Sequence, residues 1–226
     1  MENRYTRNMN TFSLDENQQF KKFNICVVGC GGLGGYVLEM LGRLGIGSIT
    51  GIDGDVFDET NLNRQILSTE GVLGREKALV ADERMKAVNS GVRFKSVVTF
   101  IDASNAEDIL KGHHLVVDAL DNIKTRKIVA AACEKLEIPL IHGAIAGWYG
   151  QVSAILPGDD TLSRIYPGDA EKGAETDLGN PSFTPALVAS IQVSEAMKVL
   201  LGKGEILQNK LLVLDLLNHQ YDIFNV

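Results

Sequence analysis

Apolar and polar positions fall in blocks of changing period, and those blocks predict the elements. Asn24-Ile25-Cys26-Val27-Val28 is a short apolar run closed by glycines. A run of this kind suits a parallel strand buried on both faces. Val37, Leu38, Leu41 and Leu44 then recur at helical spacing over about residues 34–44, and Gly45 and Gly47 stop that helix. Ser48–Ile52 is a second strand running into Asp53, followed by an irregular polar stretch over 54–74. Lys77–Val88 reads as helix, and residues 93–100 as strand with Val97, Val98 and Phe100 as apolar positions. Ser104 is placed to cap a short helix, with Glu107 at the capping-box position. Residues 115–117 are a further buried strand ending in Asp118-Ala119-Leu120-Asp121-Asn122. A helix over about 124–136 and a strand over 139–142 follow.

Strand and helix alternating through residue 142 predict an α/β, Rossmann-like doubly wound sheet, mostly parallel, with right-handed crossovers. Beyond that point the rhythm changes. Residues 151–156 read as strand, and 157–183 form a long aperiodic segment rich in Gly, Asp and Pro. Thr184 reads as an N-cap with Pro185 at the first helical position, opening a helix that ends at Gly202. Strands at 211–217 and 221–226 extend the sheet antiparallel. One domain over 1–226 is expected: an arm or short helix at 1–23, an alternating strand–helix half at 24–142, and a second half at 143–226.

Composition narrows the class. The 226 residues are 45% hydrophobic and 23% charged, which is ordinary for a globular chain. The formal charge of −7 argues against a broad nucleic-acid or anionic-membrane surface. No apolar run reaches the roughly 18 residues of a membrane span, and the N-terminus has no signal-peptide core. Three cysteines, Cys26, Cys30 and Cys133, are no disulfide framework and point to a reducing, cytoplasmic setting.

The chemistry lies at the strand ends. Gly29-Cys30-Gly31-Gly32-Leu33-Gly34 is G-x-G-x-x-G between a strand and a helix. Gly29 permits the tight turn, Gly31 lets backbone approach a phosphate, and Gly34 lets helix and strand pack. Asp53 follows about 20 residues on, where an acid accepts hydrogen bonds from a ribose. Asn61, Arg64, Gln65 and Lys77 lie in the stretch beyond the second strand. A dinucleotide needs no such fixed cations, whereas a triphosphate does, because its charge must be offset before an anion attacks it. Spacing alone equally allows a solvated loop and a helix-face lysine. Asp121, after the strand at 115–117, is placed to hold Mg²⁺ or to cap the next helix.

Together these segments resemble the HesA/MoeB/ThiF family, the bacterial relatives of ubiquitin-activating enzymes. The resemblance rests on Gly29 to Gly34, Asp53, Asn61-Leu62-Asn63-Arg64-Gln65, Gly74-Arg75-Glu76-Lys77, Asp118 to Asn122 and the helix after Thr184-Pro185, and runs from about Arg4 to the C-terminus. It implies an adenylyltransferase that uses ATP and Mg²⁺ to activate the C-terminal Gly-Gly carboxylate of a ubiquitin-like sulfur carrier protein. It further implies that Gly29, Gly31, Gly32 and Gly34 line the nucleotide and Asp53 holds the ribose. Asn61, Arg64, Gln65 and Lys77 would face the phosphates, and Asp121 would bind Mg²⁺. Arg4-Tyr5-Thr6-Arg7 resembles the family's N-terminal R-Y-x-R, which implies a homodimer with Arg7 acting in trans. From the residues alone, Arg7 is a solvated arm residue.

The chain departs from the family in its cysteines. It lacks the two C-x-x-C pairs that bind structural zinc in many members, so no zinc is expected. The loop before the last helix holds Asp177 about where some members carry a transfer cysteine, so reaction is expected to stop at the adenylate. The same loop, with Gly168, Gly173, Gly179 and Pro181, is a candidate path for the carrier's tail and equally reads as a disordered surface loop; Trp148 and Tyr149 either flank that path or pack in the core. A tRNA-modifying dehydratase of the same superfamily and an NAD-dependent oxidoreductase are the competing readings. The four histidines, His113, His114, His142 and His219, show no ligand spacing.

Overall fold

A computed structural model describes residues 2–168 and 178–226. The expectations for Gly173 and Asp177 lie outside the described residues. The chain opens with a 3₁₀ turn, Asn3–Asn8, and helix α1, Leu14–Phe20, which starts in a complete Ser13/Glu16 capping box. This arm is docked: Phe20 is fully buried, and the Tyr5 hydroxyl accepts the Asn89 amide at 2.8 Å.

The first half alternates strand and helix. β1 is Asn24–Val28, α2 Gly32–Leu44, β2 Ser48–Ile52, α3 Lys77–Val88, β3 Arg93–Val97 and α4 Ala106–Leu110. β4, Leu115–Asp118, α5, Ile123–Lys135, and β5, Leu140–Ala146, complete it. The second half holds β6, Tyr149–Ile155, α6, Thr161–Ile165, α7, Phe183–Leu201, β7, Lys210–Asp215, and β8, Gln220–Asn225. The eight strands form one sheet in the order β3-β2-β1-β4-β5-β6-β7-β8. Pairings are parallel from β3 through β5 and antiparallel from β5 to β8. The mostly parallel sheet with antiparallel C-terminal strands is the fold class that the alternating pattern predicts.

The strands carry two cores. Ile25 and Val27 of β1 pack with Leu115 and Val117 of β4 in one cluster, which α2, α3 and α7 cover. Cys26, Val28 and Val116 belong to a second cluster with residues of α4, α5 and α6. Successive residues of a strand point to opposite faces, so a strand with helices on both sides is apolar at every position.

Three local expectations are corrected. Ser104 and Glu107 form no capping box: the Asp102 carboxylate takes the Ser104 N–H at 2.8 Å and its hydroxyl at 2.6 Å, delaying α4 to Ala106. Thr184 is no N-cap: α7 begins at Phe183, and the buried Thr184 hydroxyl donates to the Gly147 carbonyl at 2.6 Å. β3 ends at Val97, where its partner β2 ends at Ile52, so Val98 and Phe100 lie outside the sheet and are exposed.

Candidate active site

A cleft of about 460 Å³ opens across the carboxyl ends of the parallel strands. Its wall includes Gly29, Gly31, Gly32, Asp53, Arg64, Gln65, Lys77 and Asp121, drawn from separate stretches of sequence. In an open parallel sheet, ligands bind at this edge.

The glycines divide by physical need. Gly29 has φ +99°, and a Cβ there would stand 2.6 Å from the Ala119 carbonyl oxygen. A Cβ on Gly34 would meet the Gly29 carbonyl oxygen at 1.8 Å. These two positions are closed by the chain itself. Gly31 and Gly32 are different: the nearest atoms to an added Cβ lie at 3.4 Å, on Gln65, and 3.7 Å, on Arg64. No backbone crowds them, so their bare surface serves the cleft rather than the packing.

Asp53 staples this loop to the end of β2. One oxygen accepts the Cys30 N–H at 2.8 Å and the other the Asp55 N–H at 2.9 Å. Burial raises the Asp53 pKa above the usual carboxylate value, and the two N–H bonds and Lys77 only partly offset it. Lys77, the first residue of α3, is almost wholly buried, with its ammonium 2.6 Å from Asp55. That contact holds the Asp55 carboxyl below its usual range. Arg64 is half-buried and donates to the Thr60 carbonyl at 3.0 Å and to Asn63 Oδ1 at 2.9 Å, leaving guanidinium N–H groups for a ligand. Gln65 is buried, and its Oε1 has no partner among the described residues. A buried polar atom left unpaired at a cleft marks a place for water or ligand.

Two sequence-predicted residues stand elsewhere. Asn61 is buried but is not on the cleft wall. Its Oδ1 accepts the Asp58 N–H at 3.2 Å in a reciprocal cap of the Glu59–Asn61 turn. Arg7 is exposed on the Asn3–Asn8 turn and does not line the cleft of its own chain.

Asp121 is exposed, and its one hydrogen bond among the described residues is a 3.4 Å contact from the Asn122 amide. The cap of α5 is Asn122, whose Oδ1 accepts the Thr125 N–H at 2.8 Å. The capping alternative for Asp121 therefore falls away, and its carboxylate is left facing the cleft. A lone exposed carboxylate is a donor set that fits Mg²⁺, which takes one or two carboxylates and fills its octahedron with phosphate oxygens and water.

Behind the cleft lies a cluster around Asp118, which the sequence offers as a structural acceptor at the strand end; its other members, Arg126 and His142, were not predicted. Asp118, fully buried, accepts Arg126 Nη1 at 2.9 Å and lies 2.7 Å from His142 Nδ1. Arg126 also donates to the carbonyls of Gly143, at 2.6 Å, and Leu120. Burial pushes the Asp118 pKa up, but Arg126 and His142 together hold it below the usual range. Burial holds His142 low, so the ring is neutral, with Nδ1–H toward Asp118. Its Nε2 then accepts from the Gln151 amide at 3.2 Å. A helical arginine and an isolated histidine carry no spacing signal. Their only clue is that both neighbour the strand end at Asp118.

The cysteines are buried and free. Burial drives the Cys30 thiol well above its ordinary value, as it does Cys26, and Cys133 up to about 12. A thiol held protonated is a poor nucleophile. Among the described residues no group of three or more His, Cys, Asp or Glu is placed to hold a metal, and no helix is long and apolar enough to cross a membrane. Trp148 and Phe183 are exposed, with ring centroids 4.6 Å apart.

Comparison with known proteins follows the same lines. The sequence matches the ThiF family over residues 5–226. It is 37% identical over 213 residues to the sulfur carrier protein adenylyltransferase of Thermus thermophilus, covering 90% of this chain and 79% of that one. It is 34% identical over 201 residues to the SAMP-activating enzyme E1 of Haloferax volcanii, covering 88% of this chain and 74% of that one. The crystal structure of E. coli MccB with MccA-N7isoASN superposes with a TM-score of 0.87 at 20% identity, covering 100% of this chain and 72% of that one, a likeness of fold.

Proposed function

Because the chain belongs to the ThiF family, we propose that it adenylates the C-terminal carboxylate of a small ubiquitin-like sulfur carrier protein with ATP. The observation that carries this reading is the convergence of the glycine loop, Asp53, Arg64, Lys77 and Asp121 on one cleft. The names of the relatives in Thermus and Haloferax support it. Residues 1–226 would act as a single adenylation domain in the cytoplasm.

The reaction needs no general base. A terminal carboxylate has a pKa near ~3.5 and is ionised at neutral pH. It attacks the α-phosphorus of ATP, forming an acyl–oxygen–phosphorus bond. The bond from that phosphorus to the β-bridging oxygen breaks, and pyrophosphate leaves. The barrier is electrostatic, an anion approaching a polyanion, so the chain must supply cations and position. Arg64 offers N–H groups to phosphate oxygens. Lys77 is a point charge now neutralised by Asp55, and an arriving phosphate competes for the same ammonium. The bare backbone of Gly31 and Gly32 admits the triphosphate close to the loop, and Asp53 accepts from the ribose hydroxyls. Asp121 would hold Mg²⁺, whose charge would help neutralise the phosphates. Arg7 would reach the partner protomer's cleft in a homodimer.

Carrier-dependent ATP–pyrophosphate exchange tests the proposal. Arg64→Ala and Asp121→Ala should each abolish exchange while circular dichroism stays native. Exchange at the wild-type rate in both variants sinks it, as does activity that requires modified tRNA or NAD instead of a Gly-Gly-ended carrier.

A further inference from the structure

Phe100 is 70% exposed and lies on the cleft wall. A lone exposed ring needs no explanation, but the backbone that carries this one is pinned. Asn105 Nδ2 donates to the Phe100 carbonyl at 3.0 Å, the Thr99 hydroxyl to the same oxygen at 3.4 Å, and Asn105 Oδ1 accepts the Asp102 N–H at 2.9 Å. The ring also lies on Gly54, the residue after Asp53. A Cβ at Gly54 would come 2.7 Å from both the ring edge and the Phe100 backbone nitrogen. The missing side chain at 54 is what lets the ring sit beside Asp53.

The sheet order supplies the direction. Asp53 follows β2, its N–H bonded to the Val97 carbonyl at the end of β3 at 3.1 Å. The order β3-β2-β1 therefore puts Phe100 on one side of Asp53 and the glycine loop, which follows β1, on the other. In a nucleotide the base and the phosphates leave the ribose from opposite ends. With the ribose at Asp53 and the phosphates at the glycine loop, the base falls on the β3 side, where Phe100 and Ile101 line the cleft. We propose that the Phe100 ring is the stacking platform for the adenine base, a nucleotide-binding residue that sets affinity for the nucleoside end of the substrate. This rests on the ATP-binding reading above. Every base has a π-face, so the platform separates nucleotide from bare polyphosphate more than one purine from another.

The test is calorimetric titration of wild type, Phe100→Ala and Phe100→Tyr with ATP and, separately, with inorganic triphosphate. Phe100→Ala should weaken ATP on the order of ten- to a hundredfold, leave triphosphate unchanged, and be rescued by Phe100→Tyr. In Phe100→Trp, ATP but not triphosphate should quench the added fluorescence. Wild-type ATP affinity in Phe100→Ala overturns the proposal and leaves the adenylation reading standing. Equal loss of triphosphate binding also overturns it, since the ring would then only support the loop. Failure of the wild type to bind ATP overturns the adenylation reading, and this proposal with it.

Discussion

Asp118 and Asp121 stand three residues apart at the end of the same strand, yet they live in opposite environments. Asp118 is fully buried and shared between Arg126 and His142. Asp121 is exposed, with a single long contact, to the next residue, among the described residues. The difference teaches what a charged strand end does. A buried charge persists only when paired, so Asp118 spends its oxygens on the fold. An exposed charge at a cleft costs little to leave unpaired and is free for a ligand. The cluster behind the cleft serves the rim: Arg126 binds the Leu120 carbonyl and Asp118 the Leu120 N–H, so the residue before Asp121 is gripped from both sides.

The most disruptive way to test that division is to remove Arg126. Arg126→Ala leaves Asp118 as an uncompensated buried charge, which costs about 3–5 kcal/mol. For a chain of this size the melting temperature should fall by roughly 10 °C, read by differential scanning calorimetry. Adding Asp118→Asn should recover part of the loss, because the orphaned charge goes with it. If Arg126→Ala melts like wild type, the cluster does not hold the fold. Asp121→Asn should do the reverse. Its melting temperature should stay within about 2 °C, since an exposed carboxylate carries little stability. Exchange should drop roughly 10²–10³-fold, the scale for losing one electrostatic contact at developing charge. A stability loss on Asp121→Asn would erase the contrast between the two acids.

Much of this division was legible in the sequence, and the rest was not for a definite reason. β1, β2 and α3 carry the predicted bounds because each is a run of one period closed by glycine or a turn. Asp53, Arg64, Gln65, Lys77 and Asp121 were readable as cleft residues because each sits where a parallel strand, or the loop it feeds, reaches the carboxyl edge. Asn61 was readable as polar but not as turned inward, since its cap with Asp58 is a matter of local dihedrals. Arg126 and His142 were invisible because their partner comes from the neighbouring strand: His142 meets Asp118 from 24 residues away. Phe100 looked like strand because its apolar alternation continued, but β2 gives β3 no partner past Val97.

A smaller effect separates capping from catalysis within one dipeptide. Asn122→Ala should cost about 1 kcal/mol, the usual loss for an N-cap, and lower the melting temperature by roughly 2–4 °C. Its exchange activity should fall far less than that of Asp121→Asn. A purely catalytic defect in Asn122→Ala would mean that the pair shares the ligand.

The smallest effect concerns pH. Burial holds the His142 pKa below the ordinary imidazole value near ~6.5. The unfolded chain therefore takes up a proton at a pH where the native ring stays neutral. The unfolded state then binds more protons, so this residue makes stability fall as pH drops below about 6.5 and leaves it flat above. Asp118, held low, adds its own loss only at much lower pH, as its carboxylate is protonated. His142→Gln keeps an amide in place of the ring and cannot titrate, so the slope of melting temperature against pH between about 7 and 5.5 should flatten. Some slope should remain from His113, which burial also holds low. Asp121→Asn should leave the slope as in wild type, because the rim carboxylate touches none of these groups. An unchanged slope in His142→Gln would mean that the buried cluster tolerates the proton, and its distinction from the rim would then rest on charge pairing alone.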